Sequence, residues 1–412
     1  MIARHLGQIV LVRGAIPGER VRAWIERAEK RLAYAVTREV VDASPDRRAA
    51  GADPLCGGAL YAHIRYERQL TIKSDVLRDA FARVGRHPIE RAVDVAASPE
   101  EGYRMRARFH VHAGRAGFYR EGTHQLCDAG PTRQLREAAV ASVTALAAAL
   151  ERDAPAAVGS IAISENLAGT ERAAHLELAP GARVDAAMLA SHAADAGLRG
   201  ISARGPSTGE ALIGGTPVVT DPVAAVIGDG GDAVVQRHAE SFFQGNRYLL
   251  GALVTAVVQA LPEAGEILEL YAGVGMFSVA LAAQGRTEVT AIEGDRSSGA
   301  DLRENARPHA PGLDARIQSV EDYLASRRGR APAAVLVDPP RTGLSKEAAD
   351  GLLRHAPARV VYVSCDPATL ARDARKLLDA GYRLDALRAF DLFPNTPHVE
   401  ALAVFTRLGA NP

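Results

Sequence analysis

At 412 residues, with 49 Lys+Arg against 49 Asp+Glu and a hydrophobic share of 47%, the chain is long enough for two or three domains. It can bury their cores without metal or disulfide support. The formal net charge of +0 removes any bulk-charge argument for a nucleic-acid partner, so that case rests on local patches. No apolar run reaches the roughly 18 residues that span a bilayer, and the N-terminus lacks an apolar signal-peptide core, so no membrane attachment is expected.

In chain order, the first segment runs over residues 1–44. "GQIVLVRGAIPGERVRAWIERAEKRLAYAVTREVV" reads as short strands broken by Gly/Pro turns, with "IPGE" the sharpest. A small OB-like β-barrel that binds single-stranded RNA fits this pattern, and a structural cap is the alternative. Residues 1–48 hold ten Lys/Arg against six Asp/Glu.

The second segment, 45–235, mixes amphipathic helices ("KSDVLRDAFARVG", "RQLREAAVASVTALAAALERDA") with strand-like runs ("GSIAISENL", "AAHLELAP", "EALIGGTPVVT"). The mixture predicts an α+β domain. Between Gly102 and Arg120 stand five arginines (Arg104, Arg106, Arg108, Arg115, Arg120) and no acid, interleaved with Tyr103, Phe109, Phe118 and Tyr119. Such a run can pair phosphate contacts with base stacking, or it can be the solvated face of a half-buried hairpin. Cys56, Cys127 and Cys365 are odd in number and widely spaced. They give no metal-ligand motif and no disulfide framework, which predicts a reducing, cytoplasmic setting.

From 236 to 412 strands alternate with helices, the signature of a parallel, doubly wound α/β sheet. The last two strands, near "YRLDALRAF" and "ALAVFTRL", lack a helix between them and are expected to pair like a hairpin at one side. "LELYAGVGMFSVALA" is a strand, a Gly-x-Gly turn and a helix. Gly273 and Gly275 allow close approach of a ligand to the backbone. Ser278 stands where the dinucleotide fingerprint wants its third glycine, and Glu293, ending the next strand, can accept from ribose hydroxyls. The acid fits both NAD and S-adenosylmethionine.

Asp338-Pro339-Pro340 ends the fourth strand, where a carboxylate stiffened by prolines can hold the amide edge of a planar heterocycle. Cys365 follows the next strand. Carbon 5 of uracil becomes nucleophilic once a thiolate has added to carbon 6, and a base must later remove the carbon-5 proton. Glu400, opening the last strand, is the expected base and His398 its rival. The bland reading of Cys365 is a small buried hydrophobe.

These runs together resemble the S-adenosylmethionine-dependent RNA uracil-5 methyltransferases. "SFFQGN", "LELYAGVGMFSVALA", "VDPPRTGLS", "VYVSCDPATLARD" and "DLFPNTPHVEALAVF" stand in that family's order. The resemblance implies a Rossmann-like class I methyltransferase domain and S-adenosylmethionine as cofactor. It implies Cys365 as nucleophile, Glu400 as proton acceptor and Asp338 as a contact to the uracil near the cofactor. It further implies cofactor contacts from Gln244, Tyr271, Gly273, Gly275, Glu293 and Asp322, and stacking by Phe242 near the flipped base. The implied partner is tRNA or 23S rRNA, and a monomer is expected. Many members hold an iron-sulfur cluster on four cysteines. Here Cys56 fits one position, while Ala50, Ala59 and Thr132 fall at or near the others, so no metal or cluster is expected. The 5-methylcytosine enzymes are disfavoured, since they carry a Cys where this chain has Asp338-Pro339. A methyltransferase on another pyrimidine-like or smaller substrate, and a catalytically silent RNA-binding protein, are the alternatives. The Cys365 and Glu400 pair argues against the second.

Overall fold

A computed structural model describes residues 1–205 and 211–409. Glu210, which opens one of the runs expected as strand, lies outside them. Three sheets organise the chain.

The N-terminal sheet has the order Ile2–His5, Gln8–Arg13, Leu32–Asp42, Arg20–Ala28. Its core is small: Val10, Val12, Ala15, Ala33 and Ala35. The outer strand Arg20–Ala28 is exposed along nearly its whole length, Trp24 and Ile25 included. Expected as a barrel, the segment is an open four-stranded sheet with two free edges among the described residues. Too few inward apolar side chains are present to fill a closed interior.

The central sheet runs Ala211–Gly215, Gly200–Arg204, Arg172–Leu178, Val158–Glu165, Arg106–His112, Arg115–Tyr119, Leu126–Cys127. The helices Glu137–Asp153 and Ala186–Asp195 cover it through Val143, Leu146, Leu150 and Leu189, which are all buried. Here the cysteine reading needs correction. Cys56 and Cys127 form a disulfide across a sequence separation of 71. The backbone bridge between Cys56 and Arg120 brings the 45–64 segment against the hairpin that carries Cys127, a proximity that spacing along the chain does not reveal.

The third sheet has the order Leu313–Ile317, Val289–Glu293, Ile267–Leu270, Ala334–Val337, Arg359–Ser364, Glu400–Arg407, Tyr382–Phe390, Val95–Ala96. Its first five strands are parallel, and Glu400–Arg407 runs antiparallel to both neighbours, as the missing helix predicts. Ile267–Leu270 and Ala334–Val337 are buried at every position; the second reads as a continuous apolar run, while the first carries the buried Glu269. Capping sets the helices that follow. Asp366 accepts from Thr369 N at 2.8 Å, with Pro367 in the first turn.

Residues 66–96 fall within the expected central span of 45–235 but pack on the third sheet. Leu77 and Phe81 of the helix Tyr66–Arg83 share a core with Val360, Leu370 and Ala374, and Val95–Ala96 extends the sheet edge. Periodicity reveals that this helix has an apolar face, but not which sheet that face covers.

Candidate active site

The parallel strands end together, and the ligand edge of such a sheet lies beyond those ends. Leu270 leads into 271–275, Glu293 closes its strand, Val337 leads into Asp338, and Ser364 into Cys365. Glu400 reaches the same edge because its strand runs the other way. Ser364 is paired with Ala401, so Cys365 and Glu400 are the next residues outward on two adjacent strands, about 5 Å apart in the pairing direction.

Glu400 is 2% exposed and its Oε1 has no hydrogen-bond partner. Burial, then the charge of Asp338, push its carboxyl well above the usual range, and Arg341 opposes them. Cys365 is half-buried. Burial and the Glu400 carboxylate push its thiol up to about 11, against the opposing charge of Arg341. The half-buried Asp338 is pushed up to about 7 by burial, while an amide hydrogen bond from Gln244 Nε2 at 3.3 Å opposes the shift. His398, the rival base, is pushed down to about 4 by burial and by the cations Arg341, Lys73 and Arg104. It is the weaker proton acceptor of the two.

The turn at 271–275 is shaped by backbone conformation. Tyr271, Gly273 and Gly275 have φ of 63°, 57° and 86°. A Cβ on Gly275 would lie 2.6 Å from Leu302 Cδ1, so the site demands glycine, whereas Gly273 has open space around it. The non-glycine Tyr271 at positive φ is a strained residue at the edge of the site. The Glu293 carboxylate accepts from Gly273 N at 2.7 Å and Asp295 N at 2.6 Å, which fixes it beside the turn.

Sequence reasoning missed two residues. Glu269 is 1% exposed, takes a hydrogen bond from Ser278 Oγ, and leaves Oε1 unpartnered. Burial, then Asp338, push its carboxyl well above the usual range. An acid inside a fully buried strand was the available signal. Arg341 follows directly after the prolines and feels Cys365, Glu400 and His398 at once. Two expected residues lie further out. Asp322 is exposed in the first turn of Val320–Ser326, and its neighbour Glu321 takes the hydrogen bond from Ser345 Oγ at 2.6 Å. Phe242 is 60% exposed, with the Arg106 guanidinium 6.0 Å from its ring centre.

Glu269, Glu293 and Asp338 form a group of carboxylates with no cationic side chain in ion-pair contact among the described residues. Such a group fits a ligand carrying ammonium and sulfonium charge, as S-adenosylmethionine does. The cluster expectation meets a different arrangement: Cys56 is bonded to Cys127, and Thr132 is buried with its hydroxyl on Ala129 O at 2.6 Å.

A family profile described as tRNA (Uracil-5-)-methyltransferase matches residues 329–408, the stretch holding Asp338, Cys365 and Glu400. A Halomonas elongata protein named 23S rRNA (uracil(1939)-C(5))-methyltransferase RlmD is 33% identical, covering 97% of this chain and 86% of its own. A protein of the same name from Alkalilimnicola ehrlichii is 34% identical, covering 98% of this chain and 93% of its own. The chain belongs to the RNA uracil-C5 methyltransferase family. As a member of that family it is an S-adenosylmethionine-dependent enzyme. Its fold matches the crystal structure of the Pyrococcus abyssi tRNA (uracil-54, C5)-methyltransferase in complex with S-adenosyl-L-homocysteine, with TM-score 0.75 over 96% of this chain and 95% of that one, at 24% identity.

The loop that delivers the uracil-C5 methyltransferase's Glu400 is held from several sides. Lys73 Nζ pairs with Asp391 and donates to Phe393 O at 3.2 Å. Gln69 and Asn395 exchange hydrogen bonds at 2.9 Å in both directions, and Asn246 Nδ2 donates to Leu392 O at 3.1 Å. Gln69 and Lys73 both come from the helix Tyr66–Arg83.

Proposed function

We propose that this enzyme methylates carbon 5 of a uridine in ribosomal or transfer RNA, with Cys365 as nucleophile, Glu400 as base and Asp338 holding the uracil edge. The observation that carries the reading is the register of Ser364 with Ala401, which brings a thiol and an unpartnered carboxylate to one edge beside Asp338. The 23S rRNA names of the relatives at 33% and 34% identity favour rRNA.

Cys365 Sγ, having given its proton to solvent, attacks carbon 6 of a uracil taken out of its stack. Arg341 beside the sulfur offsets the cost of the thiolate. Negative charge moves to the ring oxygen and carbon 5 becomes nucleophilic. Bound S-adenosylmethionine supplies the electrophilic methyl group. Glu400 then takes the carbon-5 proton, the 5,6 double bond re-forms and the sulfur leaves. The shifts suit this division of work: a carboxyl raised by burial is a stronger base than a free one, whereas His398 is weakened. Gln244 positions Asp338. Tyr271, Gly273, Gly275, Glu293 and Asp322 form the cofactor side, and Phe242 the platform for the flipped base. Residues 1–44 are read as an RNA-binding module, 45–235 less the 66–96 segment as the central domain, and 236–412 with 66–96 as the catalytic domain. A monomer fits this reading, and a cytoplasmic setting is inferred from the RNA substrate alone, since the Cys56–Cys127 disulfide removes the cysteine argument for a reducing setting; no described helix is long and apolar enough to cross a membrane.

RNA carrying 5-fluorouridine tests the proposal. Fluorine cannot leave as a proton, so wild-type enzyme with S-adenosylmethionine should form an adduct that survives denaturing gels, and Cys365→Ala should form none. An adduct of equal yield with Cys365→Ala would overturn the assignment.

A further inference from the structure

The five arginines between Gly102 and Arg120 do not share one role. Arg108 pairs with Glu177 at 2.8 Å and Arg120 with Asp53 at 2.8 Å, and Arg115 is exposed at the hairpin turn. Arg104 and Arg106 differ. Arg106 opens the strand Arg106–His112, and Arg104 precedes it at a backbone bridge to Asn246; the two flank Met105, which is 1% exposed, at the seam between the central domain and the catalytic edge. Arg104 donates to Arg106 O at 2.9 Å and to Gln134 Oε1 at 2.7 Å. Arg106 donates to Glu240 O at 3.0 Å, and its Nε is buried without a partner.

Neither guanidinium has a carboxylate in ion-pair contact among the described residues, nor has Arg341. The charges they feel are mostly of their own sign. Burial and then Arg108, Arg104 and Arg237 push Arg106 down to about 10, and Arg341 acts on Arg104 in the same direction. Partly dehydrated cations held together without counter-charge are costly unless an anion joins them. Each of the two also lies near an aromatic face: Arg104 is 5.9 Å from the Phe393 ring centre and Arg106 is 6.0 Å from that of Phe242. Arg341 acts on both Arg104 and Cys365, and Arg106 lies beside the exposed Phe242.

We propose that Arg104, Arg106 and Arg341 form a phosphodiester site for the nucleotides flanking the reacting uridine, each guanidinium without a carboxylate partner being offered to a backbone anion. This rests on the RNA reading above. Guanidinium forks suit phosphate oxygens, which they meet with two N–H donors at a time.

Two experiments test it. In the first, holoenzyme binding to an unmodified 23S rRNA transcript is followed against salt. Arg104→Met and Arg106→Met should each raise the dissociation constant about tenfold and reduce the slope of log K on log salt by about 0.7, one phosphate each. S-adenosylhomocysteine affinity should stay within about twofold. In the second, wild-type enzyme meets short RNAs around the mapped uridine, each with one neutral methylphosphonate linkage. Loss of binding confined to linkages next to the target is expected, and that arm needs no variant to fold. Slopes equal to wild type, or no dependence on which linkage is neutral, would overturn the site. If methylation of uridine proceeds while both tests fail, this inference falls and the RNA reading stands. If no uridine is methylated at all, the RNA reading falls first.

Discussion

At the scale of single residues, the site is a group of acids held away from their ordinary charge state. Burial raises Asp338 to about 7, so between about pH 4 and 7 the folded chain holds a proton that the unfolded chain has lost. Stability therefore falls as pH rises through that window, and the penalty is complete above it. Asp338→Asn should accordingly raise the melting temperature at pH 8, with the gain vanishing near pH 4, while activity is lost. An unchanged or lower melting temperature at pH 8 would contradict this. Glu269→Gln should also melt higher at neutral pH, and should weaken S-adenosylhomocysteine binding roughly tenfold or more if its orphaned oxygen meets the cofactor. Calorimetry reads that loss directly. The strand-end positions of Cys365, Glu400 and Asp338 were legible in the sequence because strand ends are marked by abrupt changes from apolar runs to reactive groups. Glu269 was not, since its chain neighbours are apolar and only the fold reveals that no donor reaches Oε1. Arg341 was passed over because its partners come from other strands.

At the scale of elements, the helix Tyr66–Arg83 holds the loop that leads into Glu400. Lys73 is 1% exposed and Asp391 fully buried, and removing one partner strands the other charge. Lys73→Met should destabilise by about 3–5 kcal/mol, read from denaturant melts, whereas Lys73→Met combined with Asp391→Leu should recover much of that loss. A single variant as stable as wild type would show that the pair contributes little. The alternating strands and helices of the catalytic sheet were readable because inner strands such as Ala334–Val337 and Arg359–Ser364 are almost wholly buried and helices such as Pro367–Asp379 bury one face. The open N-terminal sheet was misjudged as a barrel because turn residues predict strand pairing but not closure. The attachment of 66–96 to the catalytic sheet was invisible, since its contacts with Val360, Leu370 and Tyr382–Phe390 lie more than 250 residues away in sequence.

At the scale of the whole molecule, the central domain and the catalytic sheet meet at the loop that leads into Glu400. Arg48 Nη2 donates to Asn395 Oδ1 at 2.8 Å, and Tyr61 N to Asn395 O at 2.7 Å. The segment that carries Cys56 thus also braces the loop leading to Glu400. A cross-link closing 71 residues is worth about 4 kcal/mol in the chain-entropy account. Reductant should therefore lower the melting temperature of the central domain, detected by calorimetry as a transition moving away from that of the catalytic domain. Coincident, unshifted transitions with and without reductant would rule out this contribution.

The most direct test of the central claim is the behaviour of Glu400→Gln on ordinary uridine-containing RNA. With the base removed, Cys365 can still add to carbon 6 and the methyl group can still transfer, but carbon 5 keeps its proton and the sulfur cannot leave. The account predicts that a stable protein–RNA adduct accumulates, that peptide mapping places it on Cys365, and that the attached uridine carries one extra methyl group. Normal turnover by Glu400→Gln, or an adduct on a residue other than Cys365, would contradict the assignment of nucleophile and base.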